Sequence, residues 1–272
     1  MIIKKSGFTV IIFVGVIISS CQDNSKSSRP EIIETIPIIN YSVSNYFPHD
    51  TTLFTEGLLF HDRLLFESTG SPKELPGARS MVGITDLTTG KFDKKIELDK
   101  KYFGEGIAFS NGKLFQLTYK NQIGFIYDAK SFKKTGEFKY TNLQGWSLTT
   151  NGKDLIMSDG TSNLTIIDPV LCKPIRTLSV TQNGLPVDLL NELEYIKGFI
   201  YANVWKSNFV LKINPDNGKV VGKLDLSSLT LEAENKNPNA DVLNGIAYDS
   251  TADKIYVTGK MWPNIYQLNF AH

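Results

Sequence analysis

Past residue 34, short apolar runs alternate with polar turns at a spacing that predicts strands throughout. Residues 190–205, LNELEYIKGFIYANVW, read as two strands joined by a tight turn at Lys197 and Gly198, with polar and aromatic groups concentrated at its outer ends. The same layout recurs in FTEGLLFHDRLLFEST (54–69), FGEGIAFSNGKLFQLTY (103–119), QGWSLTTNGKDLIMSDG (144–160) and LNGIAYDSTADKIYVTGK (243–260). Each copy continues into a third apolar run, such as GFIYDAKS or FVLKINPDNG, and four continue into a fourth, such as KFDKKIEL or KVVGKLDL. One hairpin in five copies is a repeat architecture.

The copies start near Glu56, Glu105, Gln144, Asn191 and Asn244, and a four-stranded unit repeating every 40–50 residues or so is the signature of a propeller blade. The expected fold is therefore all-β, a five-bladed β-propeller. The fifth copy reaches His272 without an outer strand, while residues 33–43, IETIPIINYSV, have strand composition and precede the first copy. They are expected to supply the missing strand and close the ring, because an open ring leaves unpaired edges. A β-sandwich does not account for five copies of one hairpin.

Composition changes this picture at the N-terminus. Lys4 and Lys5 precede an apolar run, residues 8–18, that is too short to span a bilayer as a helix. Ile18-Ser19-Ser20-Cys21 resembles a bacterial lipobox, so residues 1–20 are expected to be a lipoprotein signal peptide and Cys21 the lipidated mature N-terminus. This places the protein in the bacterial cell envelope, lipid-anchored, on the periplasmic side or in the outer membrane. Residues 21–34 are polar and Ser-rich and read as a flexible tether, leaving 35–272 as the propeller. The net charge of +1 becomes −1 when Lys4 and Lys5 leave with the signal, which gives no footprint for nucleic acid. Cys172 is the other cysteine and reads as a half-buried strand residue. No feature calls for a second copy, and a monomer is expected.

In a propeller the start of each innermost strand lies on the same face as the end of the second strand, so these points converge on one axial mouth. The strand starts are Glu56, Glu105, Trp146, Asn191 and Asn244; the second-strand ends are Glu67 with Ser68, Tyr119, Asp159, Trp205 and Lys260. Together they predict an aromatic-walled funnel with acids, amides and one cation, which is the default place for a site. Each residue alone has an ordinary structural explanation, and the shared location carries the inference. His49, His61 and His272 cannot form a clustered metal site or a triad with a serine, and a hydride-transfer cofactor lacks its glycine fingerprint. Carboxylate proton transfer and hydrogen-bond stabilisation remain.

FTEGLLF, LFESTG, YFGEGI, FQLTYKNQIGFIYD, GWSLTTNGKDLIMSDGT, VTQNGLPVDLLNELEYIKGFIYANVW, LNGIAYD and GKMWP, in that order, resemble the glutaminyl-peptide cyclotransferases of the plant and bacterial type. The similarity runs from about residue 45 to 270. These are five-bladed propellers unrelated to the zinc-dependent animal enzymes. The resemblance implies an aminoacyltransferase that turns the N-terminal glutamine of peptides or proteins into pyroglutamate with release of ammonia, without a required cofactor. It implies Glu105 as the proton shuttle, and a substrate site of Phe54, Glu56, Phe103, Gly104, Tyr119, Trp146, Asn191, Trp205 and Lys260, with Asn191 and Lys260 binding substrate or stabilising an oxyanion. Glu56 and Tyr119 depart from the plant pattern, which has Gln and Trp there. Residues 71–80, SPKELPGARS, exceed the short turn expected after ESTG and are expected to form a lip over the mouth.

Two other readings fit the same funnel. In a calcium-dependent, lactonase-like hydrolase, Glu56, Asn191 and Asn244 would share an ion as hard oxygen ligands. In a non-catalytic peptide-binding propeller, Glu105 would pair with an amine. Chelator sensitivity discriminates the first, turnover of a glutaminyl dipeptide the second. A structural calcium in the channel is compatible with all three.

Overall fold

The computed structural model describes residues 35–272; the segments read as signal peptide and tether, with Cys21, lie outside them. Five four-stranded antiparallel sheets follow one another as blades. Blade 1 comprises Thr55–His61, Leu64–Thr69, Met81–Thr85 and Phe92–Glu97, and blade 2 Gly104–Ser110, Lys113–Thr118, Ile123–Asp128 and Lys134–Lys139. Blade 3 comprises Ser147–Thr150, Leu155–Ser158, Asn163–Asp168 and Lys173–Ser179, and blade 4 Leu190–Ile196, Phe199–Val204, Phe209–Ile213 and Val220–Asp225. Blade 5 comprises Leu243–Asp249, Lys254–Gly259 and Asn264–Asn269, with Ser42–Pro48 as its outermost strand.

The residue pattern follows from where each strand sits. Inner strands are covered on both faces by neighbouring blades, so they run almost continuously buried, as Gly104–Ser110 and Leu190–Ile196 do. Outermost strands have one face in water and alternate, as Val220–Asp225 does. Each interface between blades is its own apolar cluster. Phe66, Val82, Phe109 and Phe125 join blades 1 and 2, and Phe115, Leu117, Leu148 and Met157 join blades 2 and 3. Ile156, Leu164, Leu193 and Leu211 join blades 3 and 4. Tyr201, Leu243, Ile246 and Trp262 join blades 4 and 5, and Leu58, Leu65, Ala247 and Ile265 close the circle between blades 5 and 1. The turn at Lys197 and Gly198 has both residues at positive φ, 44° and 89°, the twist a two-residue hairpin needs.

Closure occurs as expected in kind but not in place. The described part of the expected closing stretch, residues 35–43, does not form a single closing strand. Ile39 donates its amide to the Lys223 carbonyl (2.8 Å) and the Lys223 amide bonds to the Pro37 carbonyl (3.0 Å), so this stretch runs parallel to the outer strand of blade 4. The chain then crosses to blade 5, where Ser42–Pro48 pairs antiparallel with Asn264–Asn269. Pro37 has no amide to give, which suits an edge.

Two elements interrupt the expected run of strands. A helix, Ser227–Lys236, follows blade 4 and packs Leu229 and Ala233 into the cluster between blades 4 and 5. Its sequence, SSLTLEAENK, is rich in helix formers, and it accounts for the long interval before the fifth copy. Between blades 3 and 4, Thr181–Gln182 pairs with Leu185–Pro186 around Asn183 and Gly184.

Candidate active site

Four inner strands break register where the polar residues of the funnel lie. The shifts fall between Thr55 and Gly57, Gly104 and Ile107, Leu190 and Leu193, and Leu243 and Ile246. A bulge places an extra residue on one strand and re-aims its side chain. Here the extra residues include Glu56, Glu105, Asn191 and Asn244. Tight approach of the inner strands accompanies them: a Cβ on Gly57 would lie 3.1 Å from the Gly106 Cα, and one on Gly106 would collide with the Ser147 backbone.

The bulges open into a cavity of about 770 Å³, lined by Phe54, Glu56, Phe103, Glu105, Tyr119, Trp146, Asn191, Trp205 and Lys260 among others. Of Glu105 and the substrate-site residues implied by the resemblance, all line this one space except Gly104. That glycine is packed against blade 1, where a Cβ would lie 2.8 Å from the Thr69 carbonyl, and its amide donates to Ser80 Oγ (2.9 Å). Its lack of a Cβ lets blade 2 seat against blade 1. Ser71, Pro72, Lys73 and Glu74 of the expected lip also line the cavity.

The aromatic walls brace one another. Phe54 meets Phe103 edge-on at 6.4 Å, Phe103 meets Tyr119 at 5.7 Å, and Trp146 meets Trp205 edge-on at 5.5 Å. Trp146 is held by its indole N–H donating to Gln144 Oε1 (2.8 Å), and it lies over Gly160, where a Cβ would come 2.6 Å from the ring.

The polar floor is buried. Lys260 Nζ lies 2.8 Å from the Glu56 carboxylate and 4.5 Å from the Phe54 ring centroid. Asn244 donates to the Thr55 carbonyl (2.9 Å) and to Glu56 Oε2 (3.4 Å). Burial pushes the Glu56 carboxyl up, Lys260 pulls it back, and the Asp241 charge adds to the rise, for a net upward shift. Glu105 is 4% exposed, and among the described residues its carboxylate has no hydrogen-bond partner. Burial first, and the Glu56 charge second, hold it well above the usual carboxylate range despite the opposing Lys260.

Several funnel residues expected from the strand ends lie elsewhere. Glu67 is fully buried away from the cavity, accepting from Thr55 (2.7 Å), Thr85 (2.8 Å) and His49 Nε2 (3.1 Å). Ser68 donates to the Glu105 carbonyl (2.6 Å) and so steadies the bulge from behind. Asp159 accepts from Asn142 and Thr161. Asn244 lies behind Glu56 rather than in the cavity wall. Strand position alone cannot separate these from the lining residues, because the bulges decide which side chains turn inward.

Other cavity residues escaped the sequence reading: Lys100, Lys101, Tyr102, Lys120, Lys206 and Asp241. They sit in loops outside the repeated hairpin, although each of the first five is within three residues of an aromatic wall position. The channel carboxylates were also not foreseen as braces. Glu192 accepts the Leu58 amide (3.2 Å) of blade 1 and the Ile246 amide (2.8 Å) of blade 5. Glu194 accepts the Tyr248 amide (2.9 Å) and the Thr149 hydroxyl (3.1 Å). Among the described residues no three His, Cys, Asp or Glu side chains gather as a metal site.

A five-bladed propeller with a bulge-built, aromatic-walled pocket of buried acids at one mouth defines a propeller protein with an axial ligand site. Comparison with known proteins makes this specific. The family model for glutamine cyclotransferase matches residues 12–270. The chain is 43% identical over 224 residues to the glutaminyl-peptide cyclotransferase of Arabidopsis thaliana, covering 82% of this chain and 68% of that one. It superimposes on the crystal structure of Myxococcus xanthus glutaminyl cyclase with a TM-score of 0.78 at 34% identity, covering 86% of this chain and 98% of that one. The chain belongs to the glutamine cyclotransferase family, the zinc-independent plant and bacterial type.

Proposed function

We propose that this chain is a glutaminyl-peptide cyclotransferase in which Glu105 shuttles the proton. In this reaction the α-amine nitrogen of an N-terminal glutamine bonds to its own γ-carboxamide carbon. The carboxamide C–N bond breaks, and pyroglutamate and ammonia result with no change of oxidation state. The proton lost by the attacking amine must reach the departing nitrogen. A free α-amine has a pKa of about 7.7–8.0, so part of it is already neutral near pH 7. One carboxylate can take the proton as the ring closes and return it to the leaving group, and it does so best when its pKa lies near the working pH.

The observation that carries this reading is the state of Glu105: a buried carboxylate, lacking a hydrogen-bond partner among the described residues, facing an aromatic cavity and raised well above the usual range. In the proposed complex Asn191 and Lys260 act on the oxygen that gains charge as the carboxamide carbon becomes tetrahedral, and Glu56 receives the α-amine end. Phe54, Phe103, Tyr119, Trp146 and Trp205 exclude water from the aliphatic chain. The calcium-dependent alternative fits less well, because Glu56 is already neutralised by Lys260 and Asn244 is turned away behind it. A structural calcium in the channel likewise finds the Glu192 and Glu194 oxygens accepting amides and a hydroxyl. Envelope attachment through lipidated Cys21 belongs to the same proposal, supported by the apolar run before it.

The test is ammonia release from a glutaminyl tripeptide amide with uncharged side chains, with and without chelator. One ammonia per pyroglutamyl product, unaffected by chelation, is expected. Binding without release would make the protein a peptide-binding module, and loss restored by calcium would revive the hydrolase reading.

A further inference from the structure

The cavity mouth is strongly biased in charge although the chain as a whole is nearly neutral. Five exposed lysines, Lys73, Lys100, Lys101, Lys120 and Lys206, border it, against the carboxylates of Glu74 and Asp241. Among the described residues none of the five forms a salt bridge; the lysines that do are Lys94, Lys95, Lys134, Lys197, Lys236 and the buried Lys260. Three lie across aromatic rings at the mouth instead: Lys101 on Tyr102 (5.0 Å), Lys120 on Tyr119 (4.6 Å) and Lys206 on Trp205 (4.4 Å). Such contacts hold the ammonium groups near the opening and leave their charge uncompensated. Four of the lysines come from blades 1 and 2, on the lip, on the connection between the two blades and on the loop after Thr118, and Lys206 comes from blade 4, so the mouth is flanked from two parts of the ring.

The volume points the same way. At about 770 Å³ the cavity is near the upper end of small-molecule sites, roughly 300–1,000 Å³, and exceeds what one glutaminyl group needs. If the glutamine is bound at the buried floor of Glu56, Glu105 and Lys260, the following residues must pass outward between the lysines. From this, and resting on the cyclotransferase reading, we infer that the lysine rim selects glutaminyl peptides with acidic residues in the positions that follow the glutamine. The rim concentrates such substrates by attraction and disfavours basic ones by like-charge repulsion.

The experiment compares kcat/KM for three peptides that differ only after the glutamine: two acidic residues, two uncharged polar residues, or two lysines. An exposed charge pair changes binding by about two- to fivefold, so the acidic peptide should exceed the neutral one by roughly tenfold at low salt. The gain should fall toward one at 1 M salt, where the screening length is about 3 Å, and should lie in KM rather than kcat. In K100Q/K101Q, and separately in K120Q/K206Q, the ratio of acidic to neutral rates should drop several-fold. Comparing ratios between enzymes cancels any effect of the peptide's acids on its own amine. A ratio near one, insensitive to salt and to both variants while the neutral peptide is turned over, overturns the inference alone. Failure to turn over any glutaminyl peptide instead overturns the reading beneath it. If the variants lose binding to anionic lipid vesicles but keep the peptide ratio, the rim is a membrane-facing surface and the inference fails.

Discussion

In the proposed mechanism Glu105 must be ionised to take the amine proton, so its raised pKa should set where activity fails on the acid side. Its carboxyl is pushed up by burial and by the Glu56 charge and pulled down by Lys260, so the two neighbours should move that limit in opposite directions. In Glu56→Gln the repulsion vanishes while Lys260 remains positive, and the acid limb of kcat should shift to lower pH. In Lys260→Met the opposing cation is gone, and the limb should shift to higher pH. Log kcat against pH, which reports the bound enzyme, checks both signs. Glu105→Gln keeps size and polarity but loses the base, so kcat should fall by about 10²–10⁴-fold or more with little change in binding. Near-normal turnover in Glu105→Gln together with abolition in Glu56→Gln would transfer the role to Glu56. Glu192→Gln and Glu194→Gln are the comparison, since neither lines the cavity; burial raises both, the latter to about 8, and their loss should appear in stability.

At the scale of elements, the closing strand is locked by one buried pair. His49 follows the strand Ser42–Pro48, donates from Nδ1 to the Trp262 carbonyl (2.7 Å), and faces the Glu67 carboxylate of blade 1 with Nε2. Both ring nitrogens meet acceptors, an arrangement that favours the protonated imidazole. Burial would push it down, but the Glu67 charge and hydrogen bond outweigh that and raise it. Burial would push Glu67 up, but His49 and the Thr55 and Thr85 hydroxyls hold it low. A raised imidazole stabilises fully below its ordinary 6.5 and loses that contribution as pH rises through the folded value. A depressed carboxyl stabilises fully above its ordinary 4.5 and loses it as pH falls through the folded value. The lock should be strongest between 4.5 and 6.5. His49→Ala leaves Glu67 buried without its cation and should cost about 3–5 kcal/mol, flattening the pH profile of Tm. An unchanged profile would show that the pair does not govern closure.

The same strand makes a prediction by deletion. Removing residues up to 34 leaves every described contact in place, and the melting transition should stay where it is. Removing residues up to Pro48 bares the Asn264–Asn269 edge and should give aggregation or loss of the folded state, measured by scattering and circular dichroism. Equal behaviour of the two truncations would contradict the assignment.

For the whole molecule, the five clusters between blades make the ring a chain of interfaces in which each blade is buried only by its neighbours. The proposed lipid attachment is a separate matter, since it rests on Cys21, before the propeller. Replacing Cys21 by Ala should move the protein from the membrane to the soluble fraction and leave turnover of a soluble peptide unchanged. Unlipidated, soluble wild-type protein would sink the anchor.

The repeated hairpin, the blade count and the need for a closing strand were legible in the sequence because strand period and turn chemistry are local, and five copies reinforce one another. The helix Ser227–Lys236 was passed over because it lies between copies, where no repeat points to it. The aromatic walls and Glu105 could be named through strand ends and motif resemblance. That Glu67 turns to His49, that Asn244 stands behind Glu56, and that lysines crowd the mouth were settled only in three dimensions. The inner-strand bulges and the docking of loops from different blades choose which side chains share a space, and the raised state of Glu105 arises from burial and charges brought together by that choice. Sequence alone determined the strands and their repetition; the closed ring decided which of their ends became a site.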